Sequence, residues 1–403
     1  MKKHLFLNLV TISLLVITVS CGQNSSTINY GTVGMSGDSL ANATEKMHAY
    51  VDSGKLSGIS TLVMKDGQLV YRDMYGFADI ENQIPVDKGT IFRIFSMTKP
   101  VTAVALMTLY EEGRFKLDDP VSDYIPEFKG ALVFTPGESS FTLEPQENEM
   151  TIRHLLTHTS GIPYGWDQNA YVDSLYRVHD VSGWDSATIG DKIKLLAGLP
   201  LKSQPGTRWE YGLSIDVAGY LVEVFSGIPF DQYLKTRVFD PLKMDDTGFS
   251  VPEEKHERLS TLYYKQGNAD LTEASEFGDR FKEPATVFSG GGGLVSTMGD
   301  YLNFCSMMLN GGELNGERVL QESTVKLIMS DQLPKNAFYR GSGYGLAGAV
   351  NLESGEYSWA GMASTNFWIN PENKMIIITM TQLLPSDHSY AHLFKELVMG
   401  AVL

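Results

Sequence analysis

Apolar residues near the start of this chain follow first a helical and then a strand-like pattern. Residues 41–56 have the period of an amphipathic helix, and two short apolar runs rich in β-branched residues follow at Ile59–Val63 and Leu69–Tyr75. Asp66-Gly67 lies between these two runs, and Asp-Gly in that position is typical of a β-hairpin turn. The pattern therefore predicts a helix followed by a hairpin.

The opposite end of the chain repeats these element types in reverse order. Three strand-like runs and a closing helix are predicted at residues 357–359, 365–369, 375–380 and 388–398. Between the two ends, residues 118–270 contain mostly helical patterns separated by loops rich in Gly, Pro and Asp. We expect an α/β lobe built from both ends, a helical lobe built from the middle, and a site in the cleft between them.

One helix in this pattern carries candidate chemistry at its start. The segment from Ser96 to Glu112 is apolar on nearly every face, which indicates a buried helix. Ser96 and Lys99 lie at positions i and i+3, on one face of that helix. A serine becomes a good nucleophile when a neighbouring base takes its proton, and burial could lower the pKa of a lysine enough for that role. A capping serine followed by a surface lysine is the alternative that these residues alone leave open.

The first twenty residues have the composition of an export signal. Lys2 and Lys3 precede an apolar run from Leu5 to Val19, which is short for a transmembrane helix. The sequence Thr18-Val19-Ser20-Cys21-Gly22 resembles a bacterial lipobox, in which the cysteine is lipidated. We therefore expect an exported lipoprotein that faces the periplasm and is held at the membrane by Cys21.

These patterns divide the chain into three parts. Residues 1–20 are predicted to be the signal peptide, residues 21–40 a polar tether, and residues 41–403 a single catalytic domain. The chain has 32 basic and 48 acidic residues and a net charge of −16, without a basic stripe. Such a surface repels phosphates, so we expect no nucleic-acid partner.

The context of Ser96 resembles the serine β-lactamase and penicillin-binding protein family. Four blocks carry the resemblance in the same order: Phe92–Lys99, Leu117–Pro126, Ile152–Gly161 and Gly290–Thr297. The resemblance covers about residues 41–403. It implies an α/β (α+β) fold of the β-lactamase/transpeptidase type, with an antiparallel sheet flanked by helices, a mostly helical lobe, and the active site between them. It also implies that Ser96 is the nucleophile and Lys99 its activating neighbour.

The second motif of that family, Tyr-x-Asn, is matched in part by Tyr211-Gly212-Leu213. The resemblance implies that Tyr211 shares proton transfer with Lys99, whereas Leu213 stands in the place of the asparagine. A phenol of this kind can act as a base and then return its proton to the leaving group. A literal Tyr-x-Asn at Tyr301–Asn303 falls within a helical pattern, and we expect it to be structural.

The third motif, usually Lys-Thr-Gly, appears here as Trp359-Ala360-Gly361 and resembles the esterase branch of the family. Trp359 offers no cation for a substrate carboxylate, and its indole suits the apolar part of an ester. The resemblance places the oxyanion hole at the backbone N–H groups of Ser96 and Met362.

Four other features could carry chemistry, and we expect none of them to do so. Gly37–Leu40 spells a lipase signature but follows a polar segment, and Gly290–Gly293 lacks the Gly-Lys that a phosphate loop requires. His154 and His158 have a zinc-like spacing without a third ligand, and Cys305 lies in an apolar helical pattern. We therefore predict no metal and no organic cofactor.

The sequence thus predicts a serine hydrolase that forms an acyl-enzyme on Ser96. A carboxylesterase acting on short-chain esters is favoured by Trp359 and Leu213. A β-lactamase, or a D-amino-acid or D,D-peptidase acting on cell-wall-type amides, is the alternative that export favours. A non-catalytic binding protein is a third hypothesis, and the joint presence of Ser96, Lys99 and Tyr211 argues against it.

Overall fold

The computed structural model describes residues 30–137, 140–183 and 188–403, so the predicted signal peptide and Cys21 lie outside the described residues. The α-helices are α1 Gly37–Asp52, α2 Thr98–Glu111, α3 Ile152–Leu156, α4 Tyr171–Val178, α5 Ile189–Ala197, α6 Ser214–Ser226, α7 Phe230–Leu234, α8 Asp240–Leu242, α9 Ser275–Gly278, α10 Met298–Leu309, α11 Glu322–Ile328 and α12 Ser389–Met399. The strands are β1 Gly58–Lys65, β2 Gln68–Asp79, β3 Ile84–Pro85, β4 Ile91–Arg93, β5 Leu132–Pro136, β6 Phe141–Pro145, β7 Tyr263–Tyr264, β8 Thr272–Glu273, β9 Val295–Thr297, β10 Glu313–Leu314, β11 Glu317–Arg318, β12 Gly343–Tyr344, β13 Ala349–Val350, β14 Tyr357–Ala360, β15 Asn366–Asn370, β16 Met375–Met380 and β17 Leu383–Leu384.

The two ends of the chain meet in one antiparallel sheet of eight strands. Its order is β12-β13-β14-β15-β16-β1-β2-β3. Strand β16 pairs with β1 from Ser60↔Met380 to Lys65↔Met375, and this pairing joins the C-terminal strands to the N-terminal hairpin. The predicted α/β architecture, with its sheet assembled from both ends, is confirmed.

Both faces of the sheet are covered, which explains why five of the six residues of β16 are apolar. Met375 and Ile377 point into a core formed with α1 and α12, whereas Ile376, Ile378 and Met380 point into the larger core on the other face. Successive side chains of a strand leave opposite faces, so a strand buried on both sides carries apolar residues on both faces. The short apolar runs noted in the sequence are therefore central strands.

The described part of the predicted tether does not behave as a tether. Helix α1 begins at Gly37, four residues before the prediction, and the side chain of Ser36 accepts a hydrogen bond from the N–H of Ser39 as its N-cap. Val33, Met35 and Leu40 are buried with α12 and the sheet. Met35 also forms a β-bridge with Val402 near the C-terminus. The boundary predicted at residue 41 is therefore wrong for residues 30–40, which pack as part of the domain.

The start of α1 also shows that the lipase-like signature at Gly37–Leu40 has a structural role. Ser39 lies in the first turn of α1, where its hydroxyl contacts the Ser36 hydroxyl at 3.1 Å. The Ser36 hydroxyl caps α1 next to the apolar core, and both serines are far in sequence from the residues of the cleft.

The middle of the chain forms the helical lobe, with α2 at its centre. Every residue of α2 from Thr98 to Leu109 is buried, and α2 packs against α6, which in turn contacts α3 and α5. The lobe meets the sheet where the 3₁₀ turn Phe95–Met97 contacts β14. Across residues 30–137, 140–183 and 188–403, no helix combines the length and apolarity needed to cross a membrane.

Candidate active site

The turn that presents Ser96 is strained and tightly packed. Phe95 has a φ of 40°, a left-handed conformation that is uncommon for a residue with a side chain. Its buried ring packs edge-on against Phe281 with centroids 5.9 Å apart, and this packing offsets the strain. Ser96 follows in the 3₁₀ turn rather than in α2 itself, which begins at Thr98. The predicted helix start at Ser96 is thus two residues early, and the half-buried Ser96 hydroxyl faces the cleft.

Lys99 is completely buried, and three oxygen atoms surround its ammonium nitrogen. Its Nζ lies 3.0 Å from Ser96 Oγ, 2.9 Å from the Tyr164 hydroxyl and 2.5 Å from the carbonyl oxygen of Gly291. An ammonium has three hydrogens to donate, so this geometry satisfies all of them. Burial of a charged group without such partners would cost several kcal/mol. The arrangement therefore fixes Lys99 beside the serine.

The glycine run forms the wall of the site behind Lys99. A Cβ on Gly291 would lie 2.3 Å from Asp216 Oδ2, and a Cβ on Gly290 would lie 2.6 Å from the Ile215 carbonyl oxygen. Asp216 accepts hydrogen bonds from the Ser289 hydroxyl at 2.5 Å and the Gly291 N–H at 3.1 Å. Burial raises the pKa of the Asp216 carboxyl, while these bonds and the positive charge of Lys99 act in the opposite direction. Glycine is therefore required at positions 290 and 291, because the backbone there approaches the Ile215 carbonyl and the Asp216 carboxyl closely.

Tyr211 contacts the same serine from the other side. Its hydroxyl donates to Ser96 Oγ at 2.8 Å and accepts from the Trp359 indole N–H at 3.4 Å. Lys99 Nζ lies 4.7 Å from the centre of the Tyr211 ring, within the range of a cation–π contact. A deprotonated Tyr211 could therefore take the proton of Ser96 beside a fixed positive charge. The structure brings together all three residues that the sequence proposed as catalytic.

Tyr164 is a site residue that the sequence analysis missed. Besides accepting from Lys99, its ring stacks on Trp166 with centroids 4.2 Å apart and meets the Tyr211 ring edge-on at 5.2 Å. Burial and the nearby Tyr211 raise the pKa of Tyr164 well above its usual value, so it stays a neutral phenol. No motif marked this tyrosine, because a single Tyr after the Ser160-Gly161 block carries no signal of its own.

Met362, one of the two residues predicted for the oxyanion hole, lies just after the end of β14, and Ser96, the other, lies in the 3₁₀ turn. A Cβ on Gly361 would lie 2.3 Å from the carbonyl oxygen of Ile94, so glycine lets this strand approach the nucleophile turn. Among the described residues no acceptor engages the Met362 N–H, while the Met362 carbonyl accepts from the Ser386 hydroxyl at 2.6 Å. Met362 and Ser96 line the same cavity. The Met362 N–H is therefore free to bind a substrate oxygen.

Ser96 lines two cavities, which also share Trp166 and Met362. The first, of about 460 Å³, is the aromatic cavity, whose rings belong to Trp166, Trp209, Tyr211, Tyr339, Trp359 and Trp368. The second, of about 520 Å³, is the aliphatic cavity, whose buried aliphatic side chains are Val181, Ile189, Ile193, Leu196, Leu213 and Val287. Leu213, which replaces the motif asparagine, thus adds hydrocarbon to one side of the site. A substrate with its reactive carbon at Ser96 would extend into both cavities.

The two histidines lie where the sequence predicted structural roles. His154 Nδ1 accepts from the Thr151 N–H at 3.2 Å in a helix cap. His158 is buried against Trp209 and Tyr211, and burial together with the charge of Lys99 lowers its pKa well below the usual value. No group of three metal-ligating side chains occurs within the described ranges.

Three further residues have the structural roles that the sequence predicts. Tyr301 donates to the Met97 carbonyl at 2.9 Å, which supports the nucleophile turn from below, and Asn303 donates to the Leu242 carbonyl at 3.0 Å. Cys305 is buried as a free thiol in α10.

These contacts predict different effects for the two phenols. We expect Tyr211→Phe to slow the reaction of Ser96 with a fluorophosphonate by about 10²–10⁴-fold, because it removes the proton acceptor. Tyr164→Phe should slow it less and should lower the thermal unfolding midpoint, because one donor of buried Lys99 loses its partner. Labelling rates and thermal unfolding measure both effects.

The exposed Tyr171 provides the matched control, because Tyr171→Phe removes a phenol hydroxyl outside the site. Equal labelling rates for the Tyr211→Phe variant and the unmodified chain would contradict the role given to Tyr211.

Comparisons with known proteins agree with this geometry. The family model described as Beta-lactamase matches residues 43–398. Protein Rv1367c of Mycobacterium tuberculosis (strain ATCC 25618 / H37Rv) is 33% identical over 357 residues, which cover 83% of this chain and 88% of that protein. Esterase EstB of Burkholderia gladioli is 29% identical, with 81% of this chain and 86% of EstB covered.

A solved structure is similar over nearly its whole length. EstCE1, described as a hydrolase with promiscuous acyltransferase activity, is 26% identical and superposes with a TM-score of 0.77, covering 90% of this chain and 98% of that one. The family match spans most of the chain, and the nucleophile of the resemblance lies in the cleft that the fold provides. The chain belongs to the beta-lactamase family and is a serine hydrolase.

Proposed function

We propose that this protein is a carboxylesterase that hydrolyses short-chain esters through an acyl-enzyme on Ser96. The observation that carries the proposal is the position of Ser96 Oγ, 3.0 Å from Lys99 Nζ and 2.8 Å from the Tyr211 hydroxyl. A serine between a fixed cation and a phenol has both a base for its proton and a charge that stabilises that base.

The reaction begins when Ser96 Oγ attacks the ester carbonyl carbon and deprotonated Tyr211 takes the serine proton. Because the three hydrogens of Lys99 are engaged by Ser96, Tyr164 and Gly291, Tyr211 is the group left to accept a proton. The carbonyl oxygen becomes an oxyanion, which the N–H groups of Ser96 and Met362 bind.

Collapse of the tetrahedral intermediate breaks the bond to the alcohol oxygen. Tyr211 donates its proton to that oxygen, and the alcohol leaves. Water then attacks the acyl-enzyme and gives its proton to Tyr211, after which the acid departs from Ser96 and the serine recovers its hydrogen. Each proton taken is returned, so the cycle needs no further reactant.

The aliphatic cavity supports esters with hydrocarbon acyl groups over amide substrates. Its aliphatic side chains, among them Ile193, Leu196 and Leu213, have no hydrogen-bonding groups, whereas Asp216 and Ser289 also line the cavity. An acylamino group of a β-lactam or peptide placed against the aliphatic side chains would lose its partners, at a cost of about 1–3 kcal/mol for each unsatisfied group. The relative named Esterase EstB supports the same choice.

The substrate preference has a direct test. We expect the protein to hydrolyse p-nitrophenyl acetate and butyrate with a kcat/KM at least about tenfold above that for a chromogenic cephalosporin. A loss of about 1.4 kcal/mol of hydrogen bonding by the cephalosporin corresponds to this factor. Ser96→Ala should abolish both activities. Faster turnover of the cephalosporin would favour the β-lactamase or peptidase alternative, and ester turnover that survives Ser96→Ala would remove Ser96 from the mechanism.

We also propose that the chain is exported and lipidated at Cys21. The support is the sequence alone, with Lys2 and Lys3 before an apolar run that ends in Val19-Ser20-Cys21-Gly22. Expressed in a bacterium fed an alkyne fatty acid, the full chain should carry the label in the membrane fraction, whereas Cys21→Ser should carry none. A labelled Cys21→Ser variant, or an unlabelled natural chain, would contradict this assignment.

A further inference from the structure

The aromatic cavity has an unusual charge for this protein. The chain contains 48 acidic and 32 basic residues, yet none of the described residues that line this cavity is Asp or Glu. Its one arginine or lysine is Arg340. A cavity with a cation and no lining carboxylate attracts a negatively charged group, even though the molecule as a whole is acidic.

Arg340 is presented by a strained turn. Arg340 and Gly341 have φ values of 45° and 77°, and the Ser342 N–H donates to the Tyr339 carbonyl at 2.7 Å, which closes the turn. Two successive left-handed residues are typical of a type I′ turn, where Asn or Gly is usual and arginine is not. The turn therefore projects a long cationic side chain at some conformational cost.

The turn is anchored on an aromatic wall next to the reacting atoms. The Tyr339 ring lies 4.7 Å from Trp209 and 6.2 Å from Trp359, measured between centroids. Trp359 in turn donates to the Tyr211 hydroxyl, and the Arg340 guanidinium lies 5.9 Å from the Tyr339 ring. This chain of contacts connects Arg340 to the catalytic tyrosine through rings that all line the aromatic cavity.

Arg340 has no competing partner in the described structure. Among residues 30–137, 140–183 and 188–403, no carboxylate forms an ion pair with it and no acceptor takes a hydrogen bond from it. Since its side chain is exposed at the mouth of the cavity, a ligand can reach its guanidinium. Arginine binds a carboxylate through two parallel N–H donors, a geometry that a water-exposed lysine does not provide.

The position of Tyr211 decides which part of an ester faces Arg340. Tyr211 lines the aromatic cavity and not the aliphatic one, and it is the residue that protonates the departing alcohol. The alcohol must therefore leave on the aromatic side, while the acyl group lies against Leu213 and the aliphatic side chains.

We propose that the alcohol part of the substrate is an aryl or similarly flat group that carries a carboxylate, and that Arg340 binds this carboxylate. The inference rests on the proposed esterase function and makes Arg340 a specificity residue for the leaving group. The sequence analysis found no cation for a substrate carboxylate at Trp359, and in this proposal Arg340 supplies that cation from a different loop. In the acylation step Ser96 Oγ bonds to the carbonyl carbon, the bond between that carbon and the phenolic oxygen breaks, and Tyr211 protonates the departing phenol oxygen while the carboxylate of the phenol remains bound.

The experiment compares two acetate esters of the same shape, 4-acetoxybenzoate and the uncharged 4-acetoxybenzamide. The measured quantity is the ratio of their kcat/KM values, in the unmodified chain and in Arg340→Gln. The intrinsic reactivities of the two esters cancel in this comparison. We expect the ratio of anion to amide to fall about two- to five-fold in Arg340→Gln, the range of an exposed ion pair, and further in Arg340→Glu. Added salt should reduce the ratio in the unmodified chain and leave it unchanged in Arg340→Gln.

Arg72→Gln provides the matched control, because Arg72 is also exposed but lies on β2 and does not line the cavity. Its ratio should equal that of the unmodified chain. Turnover of both esters with the same ratio in the unmodified chain and Arg340→Gln would overturn the proposal while leaving the esterase function standing. If the unmodified chain hydrolyses neither ester, the esterase function itself is contradicted.

A third ester separates the two sides of the site. In the monophenyl ester of adipic acid the carboxylate belongs to the acyl group and the leaving group is neutral. If Arg340→Gln slows this ester and not 4-acetoxybenzoate, the assignment of the alcohol to the aromatic cavity is overturned. If Arg340→Gln slows 4-acetoxybenzoate and not the adipate ester, the assignment of the alcohol to the aromatic cavity is supported.

Discussion

The whole site depends on one buried charge, the ammonium of Lys99. A fully buried cation is stable only when each of its hydrogens finds an acceptor, and here Ser96, Tyr164 and Gly291 supply the three. Two of these acceptors, Tyr164 and Gly291, belong to segments that are distant from Lys99 in sequence. The loop before β9 brings the Gly291 carbonyl oxygen to within 2.5 Å of Lys99 Nζ, and the segment after α3 brings the Tyr164 phenol. The requirement explains why these two sequence-distant segments converge on the turn that carries Ser96 and Lys99.

A second constraint joins the two lobes at the nucleophile. Phe95 is held in a left-handed conformation beside the end of β14, and Gly361 leaves the space that the Ile94 carbonyl occupies. On the far side, the Ser386 hydroxyl binds the Met362 carbonyl and so orients the peptide next to the cleft. The two predicted oxyanion donors, the N–H groups of Ser96 and Met362, thus belong to different lobes, and the sheet must pack correctly for the site to form. Stability and catalysis share the same contacts here.

Much of the fold follows from local sequence patterns, and the triad of Ser96, Lys99 and Tyr211 follows from the family resemblance. The motif from Ser96 to Lys99 has a fixed spacing, and β16 and its neighbours are recognisable as apolar runs, so both could be predicted. Tyr164 and Asp216 could not, because their roles come from contacts with Lys99 and Gly291 that no spacing records. The start of the domain was misplaced for a related reason. Residues 30–40 are mostly polar, and only their pairing with the C-terminal segment buries the few apolar side chains among them.

The central claim is that Ser96 carries the acyl group during turnover. The most direct test is to mix the enzyme with p-nitrophenyl butyrate, quench with acid within one turnover, digest with a protease and locate the butyryl group by mass spectrometry. The account predicts one butyryl group on the peptide that contains Ser96, absent in Ser96→Ala and formed more slowly in Lys99→Ala. A butyryl group on any other side chain, or ester turnover with no adduct at Ser96 under conditions that trap other acyl-enzymes, would contradict it.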